Sequence, residues 1–252
     1  MDLEKILDLF FPKFCFFCKK EEVYLCNDCF QKIEIFSSPF CPYCQKRNPQ
    51  GKICPSCKKF LDYFLSATDY QNIEKIIKEY KYHLIKELSE PLAYLLLKFL
   101  KNNPQIEFLK NPQDFLITYI PSSSYKKRKR GFDPAEEIAK ILAKLLKIDF
   151  LKILEKKKHT QDQVKLSFEE RKTNVKDAFK VEFFAFKNKK IILIDDVATT
   201  LSTLEEGAKV LKKAGAQKIY GMSVAKELFH HSQTSFFQKI FHSLKFYFAI
   251  RR

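Results

Sequence analysis

Apolar positions follow two rhythms along this chain, and the switches between them predict most of its elements. Residues 61–67, 115–120, 191–194 and 218–225 are short runs rich in aliphatic, aromatic and β-branched side chains, and they read as strands. Ile191-Ile192-Leu193-Ile194 has no polar alternation, as expected of a strand covered on both faces in a parallel sheet. Between these runs the spacing shifts to three and four. Residues 72–82 and 84–101 read as helices, the second with a stripe of Leu88, Leu92, Leu95, Leu96 and Phe99. Asp133-Pro134 is an N-cap followed by proline at the first helical position, and Ala135, Ile138, Ala139, Leu142, Leu145 and Leu146 form the stripe that follows. Residues 203–214 give the last helix, opened by the capping-box spacing of Thr203 and Glu206 and stopped at Gly215. A short amphipathic helix is expected over 1–14, with Leu3, Ile6, Leu7 and Phe10 on one side and a break at Pro12. Strands alternating with helices predict an α/β fold, a parallel sheet flanked by helices.

The cysteines add a second unit. All eight lie between Cys15 and Cys57, as four Cys-x-x-Cys pairs: Cys15/Cys18, Cys26/Cys29, Cys41/Cys44 and Cys54/Cys57. Two residues between thiolates let both reach one metal from a single tight turn, and four thiolates complete a tetrahedral zinc site. A disulfide framework is the rival reading and needs an oxidising compartment. Pairing the first four and then the last four cysteines needs the shortest loops, while spacing leaves an interleaved pairing open. The expected organisation is a double zinc-ribbon module over 1–60, an α/β domain over 61–228 and an aromatic, basic tail over 229–252.

Charge changes the picture further. Of the net +16, residues 1–64 hold ten Lys/Arg against eight Asp/Glu, so nearly all of the excess belongs to the rest. Residues 120–160 carry twelve basic and five acidic residues, a field that attracts a polyphosphate or a nucleic acid. No apolar stretch approaches the length of a membrane span, and Asp2, Glu4 and Asp8 do not suit a secretory signal. A cytoplasmic protein is expected.

Chemistry concentrates at two strand ends. Asp195-Asp196 closes the 191–194 run, and Thr199, Thr200, Ser202 and Thr203 lead into a helix. Ligands of open α/β sheets bind beyond the carboxyl ends of the strands, where acids suit sugar hydroxyls and a helix-entry turn suits a phosphate. This segment resembles the binding signature of type I phosphoribosyltransferases, which hold phosphoribosyl pyrophosphate (PRPP). The second strand end carries Ser122-Ser123-Ser124 and Lys126-Lys127-Arg128-Lys129-Arg130-Gly131, a loop suited to a polyphosphate or to nucleic acid. In the 156–166 stretch, a closing loop and a plain surface loop are both open, with His159 within it. The tail interleaves Phe229, Phe236, Phe237, Phe241, Phe246, Tyr247 and Phe248 with cations, a pattern compatible with packing, base stacking or a membrane surface.

Several further motifs resemble the ComF family of phosphoribosyltransferase-fold proteins. They are Arg130-Gly131-Phe132-Asp133, the early pair Lys81-Tyr82, the run Thr160, Gln163, Leu166, Glu170-Arg171, Asn174-Val175, Ala178-Phe179, and the turn Ala214-Gly215-Ala216. The cysteine pairs match the double zinc ribbon that often precedes that domain. The resemblance implies a type I phosphoribosyltransferase sheet binding PRPP with Mg²⁺. Asp195 and Asp196 would take the ribose hydroxyls, Thr199, Thr200, Ser202 and Thr203 the 5-phosphate, and Lys126, Arg128 and Arg130 the pyrophosphate. It also implies handling of single-stranded DNA in natural transformation, alongside competence proteins such as a DNA-translocating helicase, in the cytoplasm or peripherally at the inner face of the membrane. An active phosphoribosyltransferase of nucleotide or base salvage is the alternative. Two positions depart from the pattern. Leu201 stands where a small residue is usual and is expected to crowd the phosphate turn or oppose a positive φ. Asp133-Pro134 replaces the usual Asn-Gln.

Overall fold

The computed structural model describes residues 12–157, 177–182 and 186–228. Most of the expected 1–14 helix, the family-like positions from Thr160 to Val175, His159 and the 229–252 tail lie outside them.

The cysteine-rich region is built twice on one plan. Cys15 and Cys41 each open a tight turn: the Lys19 amide returns to the Cys15 carbonyl at 3.0 Å, and the Gln45 amide to that of Cys41 at 2.8 Å. Lys19 and Gln45 both take a left-handed conformation, φ 65° and 59°. The second pair of each half lies on helical turn structure, Cys29 in α1 (Asn27–Gln31) and Cys57 in a 3₁₀ turn (Pro55–Cys57).

Five strands form one sheet with every pairing parallel. They are β1 (Tyr63–Asp69), β2 (Phe115–Tyr119), β3 (Asp149–Phe150), β6 (Lys190–Ala198) and β7 (Lys218–Lys226), in spatial order β1-β7-β6-β2-β3. A separate antiparallel pair joins β4 (Leu154–Lys156) to β5 (Phe179–Val181). In central β6, Ile192 and Ile194 enter a core with Ile117, Tyr119, Tyr220 and Met222, roofed by α2 (Tyr70–Tyr82), α3 (Ser89–Lys101) and α6 (Pro134–Leu146). Ile191 and Leu193 enter the opposite core with Leu116, Ile219, Leu154 and Phe179, covered by α7 (Ser202–Lys213) through Leu204, Ala208 and Leu211. The unbroken apolar run is thus explained by cover on both faces.

The expected 84–101 helix is shorter than its pattern suggests. Leu84 takes φ 63°, a 3₁₀ turn follows at Lys86–Leu88, and α3 begins at Ser89. A small helix, α4 (Glu107–Lys110), precedes β2. The basic 124–130 run is also helical: α5 (Ser124–Arg130) is capped by the Ser123 hydroxyl, which accepts from the Lys126 amide at 3.3 Å, and ends at Gly131. Lys and Arg are good helix formers, so a cap and a stop suffice to fold the run.

The cysteine module lies along the outer edge of β1. The Phe64 amide donates to the Gly51 carbonyl at 2.8 Å, the Ile53 amide to Asp62 at 3.0 Å, and the Phe36 amide to Ala67 at 2.8 Å. These contacts protect an edge that would otherwise be open to pairing.

Helix α7 approaches the sheet closely because Gly207 faces it. A Cβ there would stand 2.6 Å from Ile120 Cδ1 and 3.2 Å from Leu193 Cδ2. Gly207→Val is expected to lower stability by about 1–3 kcal/mol, the usual cost of overpacking. A urea midpoint equal to the wild type would rule out this close approach.

Candidate functional site

The connections leaving β2 and β6 diverge. β2 leads through α5 and α6 to β3 on one side, whereas β6 leads through α7 to β7 on the other. Neighbouring strands whose connections part in this way leave a crevice at their carboxyl ends, the usual ligand position in such sheets.

β6 carries its acids into that crevice. The strand runs past the Ile194 end expected from the sequence because β7 continues beside it, with Asp195 opposite Ser223 and Ala198 opposite Lys226. β2 stops at Tyr119, opposite Ile194. The acids therefore have a strand neighbour on one side and the crevice on the other. Asp196 is buried, and its carboxylate accepts from the Val197 amide at 2.7 Å and pairs with Lys81 at 2.9 Å. Asp195 accepts from the Asp196 amide at 2.9 Å. Burial, followed by the adjacent Asp196 charge, holds the Asp195 carboxyl well above its ordinary range. Burial also works against the Lys81 ammonium, but the charge of Asp196 outweighs it and raises Lys81 above its usual value. Lys81, at the end of α2, is thus the cation of this cluster.

The turn after β6 holds the four hydroxyl residues. Thr199, Thr200, Ser202 and Thr203 are all half-buried. The Thr200 hydroxyl donates to the Ser202 hydroxyl at 2.9 Å and accepts from the Ser202 amide at 3.4 Å. Helix α7 begins at Ser202, so Thr203 lies inside its first turn and does not cap it. The N-cap position belongs to Leu201, which adopts φ 62° with its side chain buried among Leu204, Ala198 and Leu193. The leucine thus takes the positive φ that it was expected to oppose, because its side chain has a place in the core. Lys226, at the end of β7, donates to the Thr199 carbonyl at 2.8 Å and also contacts the Glu227 carbonyl. Burial pulls its ammonium down to about 8.

Across the crevice, α5 distributes its cations over different faces. Lys126 and Arg130 are one helical turn apart and both half-buried, whereas Arg128 lies on another face and is exposed. Arg130 stands over the Tyr82 ring, 5.9 Å from its centroid, and its charge bears on Lys81. Lys127 is held by Glu136 at 2.9 Å. Glu136 is a buried hub that also binds Lys140 at 2.8 Å, Lys152 at 2.6 Å and the Tyr119 hydroxyl at 3.0 Å. Despite burial, these donors hold its carboxyl far below the ordinary range.

Asp133 is 1% exposed and accepts from the Ser122 amide at 2.7 Å and the Ser122 hydroxyl at 3.3 Å. It fastens the strand-end loop rather than capping α6, where no side-chain cap bond forms. The structure brings together Lys81, Asp195, Asp196, Asp133 and Arg130. Sequence reading missed Lys226, Glu136 and Asp133's role in the loop. No local signal marks them out: Glu136 precedes Glu137, and Lys226 precedes Glu227. A cavity of about 570 Å³ lies elsewhere, between α1 and α3 beside Phe30 and Tyr94.

The cysteines gather as two sequential clusters. The Cys15, Cys18, Cys26 and Cys29 sulfurs all lie within 4.8 Å of one another, as do those of Cys41, Cys44 and Cys57. Cys54 Sγ is 3.6 Å from Cys44 Sγ. All eight are free thiols. Burial opposes ionisation of Cys15 and Cys41, but nearby backbone amides outweigh it and lower them to about 6 and about 7. Cys54, whose thiol shares bonds with Cys44 and Cys41, is instead pushed up to about 11, and the four-sulfur donor sets fit a tetrahedral thiophilic metal.

Asp133 supplies a pH-dependent prediction. Burial first, then the charge of Asp196, raises its carboxyl to about 6 against an amide bond that lowers it. A carboxyl with a raised folded pKa binds its proton more tightly in the native state, so it lowers stability as pH rises from about 4 to about 6. Asp133→Asn keeps an oxygen acceptor for Ser122 and removes the charge. Its melting temperature should exceed the wild type's at pH 7.5, with the gain shrinking towards pH 4. An equal gain at both pH values would contradict the assignment.

Residues 6–58 match a family model described as a double zinc ribbon domain. Competence protein F of Haemophilus influenzae is 29% identical over 80% of this chain and 90% of its own length. Competence protein ComFC of Streptococcus pneumoniae is 25% identical over 82% of this chain and 90% of its own. DNA utilization protein YhgH of Salmonella typhi is 26% identical over 82% and 94%. Among solved structures, an adenine phosphoribosyltransferase aligns at 16% identity with a TM-score of 0.34, covering 64% of this chain and 76% of that one. Along about 80% of its length the chain is similar to competence proteins F and ComFC, and its amino-terminal side matches a double zinc ribbon.

Proposed function

We propose that the chain binds PRPP with Mg²⁺ at the carboxyl ends of β2 and β6 and acts in the handling of single-stranded DNA during natural transformation. The observation that carries the first half is the Asp195/Asp196 pair joined directly to the hydroxyl turn at the entry of α7. Paired carboxylates suit the two ribose hydroxyls, and the helix-entry turn through Thr199, Thr200, Ser202 and Thr203 suits the 5-phosphate. Lys126 and Arg130 are the α5 cations assigned to pyrophosphate, while the exposed Arg128 is the weaker assignment. Mg²⁺ is ordinarily held by one or two carboxylates together with the ligand's phosphates, a donor set available here. Lys81 occupies Asp196 in the free protein, so ribose binding requires that carboxylate to be shared or released.

The DNA half is supported by the names of the relatives and by one surface. Tyr82 and Tyr125 are 68% and 55% exposed, and both neighbour cations of α5. Exposed rings beside Lys and Arg stack bases and track a phosphate backbone without reading sequence. Arg128 and Lys129, both exposed, are the cations for this role, whereas Lys127 is held by Glu136. Other competence proteins, such as a DNA-translocating helicase, are the expected partners. Among the described residues no helix is long and apolar enough to cross a membrane. Transfer of phosphoribosyl to an acceptor nitrogen is the second reading. Pyrophosphate departure leaves an oxocarbenium-like sugar, and charge stabilisation by the acidic pair would serve it without a dedicated base.

Calorimetry of the full chain should detect PRPP binding that requires Mg²⁺. Asp195→Asn and Asp196→Asn should each weaken it by about 1.5–3 kcal/mol, the worth of a charged hydrogen bond. A folded wild type that takes up no PRPP would end this reading. Tyr82→Ala and Tyr125→Ala should each cost about 1–3 kcal/mol in single-stranded DNA binding, on top of a steep salt dependence common to all variants. Binding indifferent to both rings would move the DNA surface elsewhere. Each cysteine cluster is proposed to hold one structural zinc, so metal analysis should return about two zinc per chain. A metal-free, disulfide-linked module would refute the zinc assignment.

A further inference from the structure

The second cysteine cluster reaches the phosphate turn through two side chains. Tyr43 lies between two of the cluster's cysteines, Cys41 and Cys44, and its hydroxyl donates to Glu205 in the first turn of α7. The other Glu205 oxygen accepts from the amides of Phe60 and Leu61, at 2.9 and 3.3 Å, where the chain leaves the cysteine module for β1. Glu205 is 8% exposed, so this carboxylate is spent on fixing the module to the helix. Its own amide donates to the Leu201 carbonyl at 2.8 Å, closing the first turn of α7. Leu201 is the left-handed residue that turns the chain from Thr199 and Thr200 into the helix. The same apolar cluster contains Cys41, Ile53, Leu201 and Leu204, so packing follows the path taken by the hydrogen bonds.

The two cysteine clusters differ in this respect. Three of the first four cysteines are buried, and their neighbourhood is Leu25. In the second cluster, Cys44 is exposed and Cys54 and Cys57 are half-buried. The cluster joined to the ligand turn is therefore the more open of the two, although Cys18 of the first is exposed and Cys41 of the second is buried.

We propose that the second cysteine cluster is a metal-dependent brace for the phosphate turn, acting through Tyr43 and Glu205, so that an intact cluster holds residues 199–205 ready for a 5-phosphate. Tyr43 and Glu205 are positioning residues and touch no ligand. This proposal rests on the reading of that turn as the phosphate site, but the brace itself is a property of the ligand-free chain. Without the hydroxyl of Tyr43, the Glu205 carboxylate loses one of its three donors, and the turn loses its tie to the metal-ligating loop.

Hydrogen exchange on the ligand-free, zinc-loaded full chain tests it. Tyr43→Phe and Glu205→Gln should speed exchange of the amides in 200–207 by roughly three- to tenfold, the size of one hydrogen bond's net contribution. Zinc content should stay at the wild-type value, and Tyr24→Phe, beside the first cluster, should leave the segment unchanged. Cys54→Ser, which empties the second cluster, should give the same acceleration. If that variant fails to fold, the Tyr43→Phe result decides alone. PRPP affinity should fall by a similar factor in Tyr43→Phe. Wild-type protection of 200–207 in both Tyr43→Phe and Glu205→Gln would overturn the brace. A wild type that shows no PRPP binding would instead refute the ligand reading, and the exchange result would still decide the brace.

Discussion

Three carboxyl groups converge on one crevice, and the arrangement around them answers the need to keep them there. Asp195 and Asp196 are adjacent on β6, and Asp133 is close enough for the charge of Asp196 to raise it. Two like charges 4 Å apart repel by about 4 kcal/mol at an effective dielectric of 20. The fold meets this by setting half-buried Lys81 against Asp196 at 2.9 Å. Burial first, and then that crowding, raises the Asp195 and Asp133 carboxyls.

Rigid supports hold this crowded site from three sides. The sheet supplies β6 and β7, paired through Ala198 and Lys226, with Lys226 bonded back to the Thr199 carbonyl. The Glu136 hub fastens α5 to α6 and to the end of β2 through Lys127 and Tyr119. Glu205 fastens α7 to the cysteine module. Each hub is a buried carboxylate with several donors, the condition under which a buried charge stabilises rather than costs. The cysteine module is thus part of the scaffold of the site as well as cover for the β1 edge.

Much of this was legible in the sequence wherever the cause is local. The apolar 191–194 run is sandwiched as its pattern implies, and the four cysteine pairs cluster in chain order because the shortest loops allow it. Asp195 and Asp196 lie at a strand end with the hydroxyl turn beside them. Illegible features depend on partners distant in sequence. β6 outruns its apolar residues because β7 continues next to it, which no reading of β6 alone reveals. Lys127 is tied to Glu136 of α6, nine residues away across a turn, and the basic run itself does not mark it out. The Tyr43–Glu205 bond spans 162 residues, and neither residue type in its local setting announces it.

Leu201 shows how a local rule yields to packing. A left-handed conformation costs a residue with a Cβ about 1–2 kcal/mol, which is why glycine is the usual choice in such turns. Burying a leucine side chain returns about 1.5–3 kcal/mol, and this one is 4% exposed against Leu193 and Leu204. The second magnitude is at least as large as the first, so the leucine is sustainable where its side chain has a core to enter. The consequence for the site is mechanical. A glycine turn can relax through many φ values, whereas a leucine turn keeps its one left-handed geometry only while its side chain remains packed. The hydroxyls of Thr200 and Ser202 are therefore aimed by the apolar core beneath them, and that core includes Cys41 and Ile53 of the second cysteine half.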